Sequence, residues 1–556
     1  MLCRLAVLLV LALPLSAAQT ALVVDEAGRA IASVDLTSGK VDSTVSLPFT
    51  PDRALLSSDG RTLLVLDQGE GNLGFWTGEF RPKTRSSAAI VRDGELVGSS
   101  ELGWGLAESA FSPDGKHAFV LTTGYESNKT NERKESELVR IDLEDGRVSG
   151  RMSLDAAAAA FATDQAGKTG IIYSPPYPKK KPAPLPARLT FIDLGTLEPK
   201  ATIDIAGTEV RRPVAVGDTI YVVDGGSKKA GGSLTILDAA TASVIKKIDV
   251  GPEAVFGGSD SKGQLFLLSQ SPDRKSGRVT VIKGTETVAE YAIGAAPKMA
   301  RLSADDSRLY VLGWKEFSVV DLASGKASPA LEQARNPLAV LATADGTRAF
   351  VINMDADQCC RITVFDTGSM RRLTTFLGGS KAERIGQALA AVALSVASYQ
   401  AGQSIAKSTG SDTFYYSIYT PISQGAARGP LAFGPGEKKV YFVDTQTSDV
   451  TVVDVATGQR LRTLDAGSGL QEVIPLHEAG LIAGIADTAI TLVDAETDEV
   501  RQSIELEGGV TDAVLTEDGS RLVVFGKKNL VVLDAKSGKL VSRVGSLQQP
   551  VQVIFR

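Results

Sequence analysis

One phrase recurs along the chain and constrains its fold more than any other feature. It is an apolar run, an Asp, two or three polar residues, usually a Gly, and a second apolar run. Examples are SVDLTSGKV (33–41), VRIDLEDGRV (139–148), LTILDAATASV (234–244), FSVVDLASGKA (317–327), VTVVDVATGQR (450–460) and LVVLDAKSGKL (530–540). A second phrase sits between copies: SSDGRTLLV (57–65), SPDGKHAFV (112–120), SADDSRLYV (303–311), TADGTRAFV (343–351) and TEDGSRLVV (516–524). Each phrase reads as strand–turn–strand. Asp and Gly tolerate the positive φ of tight hairpins, and an Asp carboxylate bonds the amides of the turn it enters. The two phrases together give four strands per unit. The unit repeats every 40–50 residues or so, the period of propeller blades. An isolated blade cannot bury both of its faces, so neighbours must stack around an axis.

The expected fold is therefore all-β, a propeller of about eleven four-stranded blades, two of them degenerate. Eleven exceeds the usual four to eight blades of one ring, so two rings are expected, residues 19–300 and 301–556. The chain after residue 18 opens on the later strands of a blade (ALVVDEAGRAIASVDL), and PVQVIF (550–555) reads as a missing first strand, so both ends are expected to share one blade.

The best unit is GPLAFGPGEKKVYFVDTQTSDVTVVDVATGQRLRTL (429–464). Its VYFVD and VTVVDVATG segments match the YVTN and VIDTATG positions of the YVTN family of β-propeller repeat proteins. The chain resembles that family over nearly its whole length after residue 18. The resemblance implies the propeller and leaves function open, because the motif residues build hairpins rather than sites.

The first residues, MLCRLAVLLVLALPLSAAQT, give Arg4, an apolar run from Leu5 to Leu15, and the small residues Ser16, Ala17 and Ala18. This pattern predicts a secretory signal peptide over 1–18, and with it a secreted or periplasmic protein. The run is too short to span a bilayer, and no transmembrane segment is expected once it is removed. Cys3 would leave with it, so Cys359 and Cys360 become the only cysteines, in an oxidising compartment. A net charge of −6 argues against nucleic acid as a partner.

In a propeller, the turns after strands one and three share one face, and those after strands two and four share the other. The first set here is short. The second is repeatedly expanded, as in TTGYESNKTNERKESE (122–137), YSPPYPKKKPAPLPA (173–187) and DGGSKKAGG (224–232). Loops on a rigid scaffold tend to carry function, so this face is the expected working face. Its Lys179, Lys180 and Lys181 would suit a protein or an anionic cell-envelope polymer, or simply be solvated. The largest insertion, 381–429, is expected to be helical over 382–407 and to bring Tyr415 and Tyr416 near a groove. It could pack on this face, dock a partner, lie on a membrane surface or act as a lid.

Chemistry is harder to find. Only two histidines exist, His117 and His477, too few for the His clusters of copper or haem propellers, and a Ser-His-Asp site would need one of these two. The TG turns lack the Trp expected of quinone-cofactor propellers, and no cofactor is expected. Asn353, Asp355 and Asp357 share the alternate spacing of a calcium loop, but Gln358 and Val364 stand where such a loop needs Gly and Glu. Cys359 and Cys360 follow at once, and could be a vicinal disulfide, two free thiols or links to another chain. The expected function is that of an exported, non-enzymatic propeller that binds a macromolecule or acts as a scaffold through its loop-rich face. The alternative is a lactonase- or hydrolase-like enzyme with a carboxylate and metal site in the funnel; no catalytic residue can be named.

Overall fold

The computed structural model describes residues 20–73, 80–126, 133–154, 158–164, 166–176, 186–207, 209–226, 231–333, 337–355, 358–377, 431–444, 448–467, 469–516 and 518–555. The expected signal peptide and the expected helix over 382–407 lie outside these residues. Among the described residues the helix content is one 3-10 turn, Pro435–Glu437. No helix there is long and apolar enough to cross a membrane.

The described strands form eleven antiparallel blades, one of which gains a fifth short strand. Numbered along the chain, blade 2 spans 53–101, blade 3 spans 108–154, blade 4 spans 160–205 and blade 5 spans 214–250. Blade 6 spans 255–293, blade 7 spans 297–332, blade 8 spans 337–377 and blade 9 spans 431–465. Blade 10 spans 472–505 and blade 11 spans 510–544. Blade 1 is shared between distant segments: Thr20–Asp25, Ala30–Asp35 and Val41–Ser46 supply three strands, and Pro550–Phe555 pairs with the first of them.

The reason for this architecture lies in the second and third strands of each blade. They are apolar on both sides, so alternate side chains enter opposite neighbours. In Thr62–Asp67, Leu63 and Val65 enter the core with blade 1, whereas Leu64 and Leu66 enter the core with blade 3. A strand buried on both faces reads as an unbroken apolar run, which is what LLVL and VYFV are. Every such residue removes about 1.5–3 kcal/mol of apolar exposure from water.

Each junction between consecutive blades has its own core cluster, and there are eleven of them. The cycle closes where Val523, Phe525 and Val532 of blade 11 meet Ala21, Val23 and Val34 of blade 1. The molecule is thus an eleven-bladed β-propeller. The packing shows no break at the expected division near residue 300. There Phe266, Leu268 and Ile293 of blade 6 share a cluster with Leu309, Val311 and Val320 of blade 7. Ring size is set junction by junction, and each junction here satisfies its own apolar surface, so a blade count beyond the usual range need not split into two rings.

First strands of neighbouring blades approach one another and line the axis. Fourth strands form the rim, with alternating exposure such as that of Ser243–Val250. In ten blades the register between third and fourth strands shifts by one residue at the same place. Such a bulge twists the outer edge and blunts its pairing with other chains.

Candidate functional site

The two faces differ in how far their turns are extended. On the tight-turn face, one device recurs in five of the turns between first and second strands. Ser57, Ser112, Ser303, Thr343 and Thr516 donate a hydroxyl hydrogen bond to Asp59, Asp114, Asp305, Asp345 and Asp518, at 2.5–2.7 Å. Between third and fourth strands the terminal Asp of the VVD phrase accepts from turn amides, as Asp454 does from Thr457 N and Oγ1, both at 2.7 Å. These bonds hold the carboxylates of Asp59, Asp114, Asp345 and Asp454 below the ordinary value, and that of Asp305 falls to about 2. The aspartates of this face are therefore spent on structure.

The opposite face carries the turns between second and third strands and the connectors between blades. Two adjacent blades raise two-stranded hairpins there: Gly71–Leu73 with Phe80–Pro82 on blade 2, and Tyr125–Glu126 with Arg133–Lys134 on blade 3. The connector between these blades ties to the second hairpin's base, where Gly124 N donates to Trp104 O at 2.9 Å.

Where this face opens onto the axis, side chains reach from one first strand to the main chain of the next. Gln552 Oε1 accepts from Ala54 N at 2.7 Å and its Nε2 donates to Ala54 O at 3.1 Å. Glu108 accepts from Phe161 N and pairs with Arg212 one blade further on. Arg301 Nη1 donates to Val340 O at 3.1 Å. Ala54, Phe161 and Val340 occupy the same register, opposite Val65, Ile172 and Val351. These straps satisfy main-chain groups that an edge strand would otherwise leave open. Burial holds the Arg53, Arg212 and Arg301 guanidiniums below the ordinary arginine value. Arg53 Nε and Nη2 are buried without a hydrogen-bond partner. Lys298 sits 4.0 Å from the ring centre of Trp314, and burial lowers its pKa against the pull of Glu253.

The residues singled out from the sequence are distributed as follows. Asp355 ends the second strand of blade 8, Arg348–Asp355, and pairs in register with Gln358. Cys359 and Cys360 lie within the third strand, Gln358–Asp366. Asn353 is fully buried, and its Oδ1 accepts from Thr363 Oγ1 at 3.4 Å. The stretch from Gln358 to Val364 belongs to the strand ladder of blade 8. Asp357, Lys179, Lys180, Lys181, Tyr415 and Tyr416 lie outside the described residues. Among the described residues no group of three His, Cys, Asp or Glu side chains gathers at metal-binding distance. The charged straps at the axis were not foreseen. Their only sequence signal is a charged or amide residue within a first strand.

No protein-family model matches the chain, and no curated protein matches it. Among solved structures it is similar to a eukaryotic initiation factor, at 10% identity over 80% of this chain and 96% of that one, with a TM-score of 0.38. It is also similar to the dihydro-heme d1 dehydrogenase NirN, at 13% identity over 65% of this chain and 74% of that one, with a TM-score of 0.34. The Dos1 propeller matches at 10% identity over 75% of this chain and 89% of that one, with a TM-score of 0.34.

Proposed function

We propose that this chain is an exported, YVTN-type β-propeller that binds a macromolecule of the cell envelope, a protein or an anionic polymer, through its loop-rich face. One observation carries the reading: the two faces differ in how far their turns are extended. One face is closed by repeated turns whose aspartates are consumed by local bonds. The other raises hairpins on adjacent blades and receives both ends of the 378–430 segment. A rigid ring with independent loops on one side suits recognition of a large partner.

The test is capture from the native cell envelope, comparing the full chain with a variant lacking 381–429 that keeps its melting temperature. The reading expects the variant to lose partners that the full chain captures. An unchanged set of partners would count against a docking role for that segment. Export is tested separately by fractionation, where the protein should leave the cytoplasm and lose residues 1–18.

A further inference from the structure

Among the described residues, every large hydrophobic side chain that stays exposed lies within the first three residues of a fourth strand, at the tight-turn end of the rim. The register shift between third and fourth strands falls at the same place and adds one residue to the outer strand. Three of these positions are consecutive around the ring: Leu461 on blade 9, Val500 on blade 10 and Leu540 on blade 11, at 50%, 52% and 44% exposure.

The charge of the rim is uneven at that same level. The fourth strands of blades 8 to 11 carry six arginines, Arg371, Arg372, Arg460, Arg462, Arg501 and Arg543, against two carboxylates, Asp465 and Glu505. Those of blades 1 to 7 carry one arginine and four lysines against eight carboxylates. All six arginines of the sector are exposed, and all but Arg543 share the first three strand positions with the aliphatic side chains. Arg501 reaches Asp494, while the other five meet no carboxylate among the described residues. Elsewhere on the rim Arg151 meets Glu137 at 2.8 Å and Lys246 meets Glu286 at 2.9 Å, so these cations are neutralised locally.

We propose that the rim of blades 8 to 11 seats the ring on an anionic phospholipid surface. The proposal is independent of the reading of the loop-rich face. Both halves of the sector's chemistry call for such a ligand. A guanidinium pairs with a phosphate through parallel N–H groups. Half-exposed Leu and Val side chains gain by leaving water, which the boundary between headgroups and acyl chains allows and a soluble polyanion does not. A convex rim has no cleft to enclose a peptide or a sugar, but it can sink into a headgroup layer. A chain of net charge −6 is repelled by an anionic surface unless its cations gather on the side that approaches. Standing on this edge, the ring keeps its loop-rich face clear of the bilayer.

The test is sedimentation of the chain from residue 19, which holds all eleven blades, with vesicles of phosphatidylglycerol and phosphatidylcholine in equal parts, and with phosphatidylcholine vesicles alone. The anionic vesicles should carry the protein down, the neutral ones should not, and added salt should release it. Arg371→Gln, Arg372→Gln and Arg460→Gln together should weaken binding about tenfold or more. Leu461→Ser with Leu540→Ser should weaken it about fivefold. The arginine and leucine side chains replaced are exposed, so the melting temperature should hold in both variants. Lys246→Gln with Lys247→Gln, on the rim of blade 5, should leave binding unchanged. No sedimentation with anionic vesicles, equal sedimentation with neutral ones, full binding by the arginine variant, or an equal loss from the blade 5 change would each overturn the proposal. Loss in the arginine variant with none in the serine variant would make the ligand a soluble polyanion, and would overturn it as well.

Discussion

Gln552 grips the main chain of Ala54 by both of its groups, accepting the N–H at 2.7 Å and donating to the carbonyl at 3.1 Å. The contact joins the first strand of blade 1 to that of blade 2, across almost the whole sequence. Replacing Gln552 with Ala removes two bonds and leaves a partly buried peptide open, at a cost of about 1–3 kcal/mol. Urea unfolding should show the loss. Replacement by Glu should keep the bond from Ala54 N and forfeit the one to its carbonyl, giving an intermediate midpoint.

Ring closure rests on Pro550–Phe555, which pairs with Thr20–Asp25 and contributes Val553 to the core with blade 11. Asp25 also receives N–H bonds from Gln548 and Gln549, at 2.9 and 2.7 Å. Removing residues 548–556 should expose the cores on both sides of blade 1. Limited proteolysis should then cut first within 20–46, where the full chain resists.

Asp498 is a buried carboxylate that accepts from Tyr441 at 3.0 Å and pairs with Lys439 at 2.8 Å, joining blades 9 and 10. Asp498→Ala leaves a buried cation and hydroxyl without their partner, and should cost about 3–5 kcal/mol. Burial and the nearby carboxylates push the Tyr441 hydroxyl well above the ordinary tyrosine value. Ultraviolet titration should therefore find Tyr441 still protonated at high pH in the parent, and Asp498→Asn should lower its midpoint without restoring the ordinary value, because burial remains.

The turn aspartates fix the response to acid. Their folded pKa values lie below the ordinary 3.8, with Asp305 at about 2. A group depressed in the folded state adds stability above its unfolded value, and that stability is lost as pH falls through the folded value. Stability from these turns should thus be complete above pH 4 and decline between about 4 and 2. Urea midpoints measured across that range should fall steadily, and a flat profile would contradict the turn account.

Much of this was legible in the sequence because a blade is a local object. The phrase SPDGKHAFV holds a turn and the strand that leaves it, and VTVVDVATGQR holds a strand and the turn that follows, so their bonds could be read from neighbouring residues. The complementary strand PVQVIF was legible for the same reason, since a blade missing its first strand calls for one. What sequence could not reveal depends on the ring. Glu108 and Arg212 meet only because blades 3, 4 and 5 are consecutive and their first strands converge. The arginine sector of the rim needs the fourth strands of blades 8, 9, 10 and 11 side by side. The fourth strand of blade 7 is split into Lys326–Ala327 and Leu331–Glu332, with Ser328 bonding Val319 between them, and no repeat phrase announced it.

The central claim, that recognition occurs on the loop-rich face, is tested most directly by placing a photo-crosslinking residue at Lys528 on that face and, separately, at Lys116 in a tight turn on the other. After irradiation with native envelope, the account predicts a discrete crosslinked species from position 528 and none from position 116. The same species from position 116 alone would contradict it.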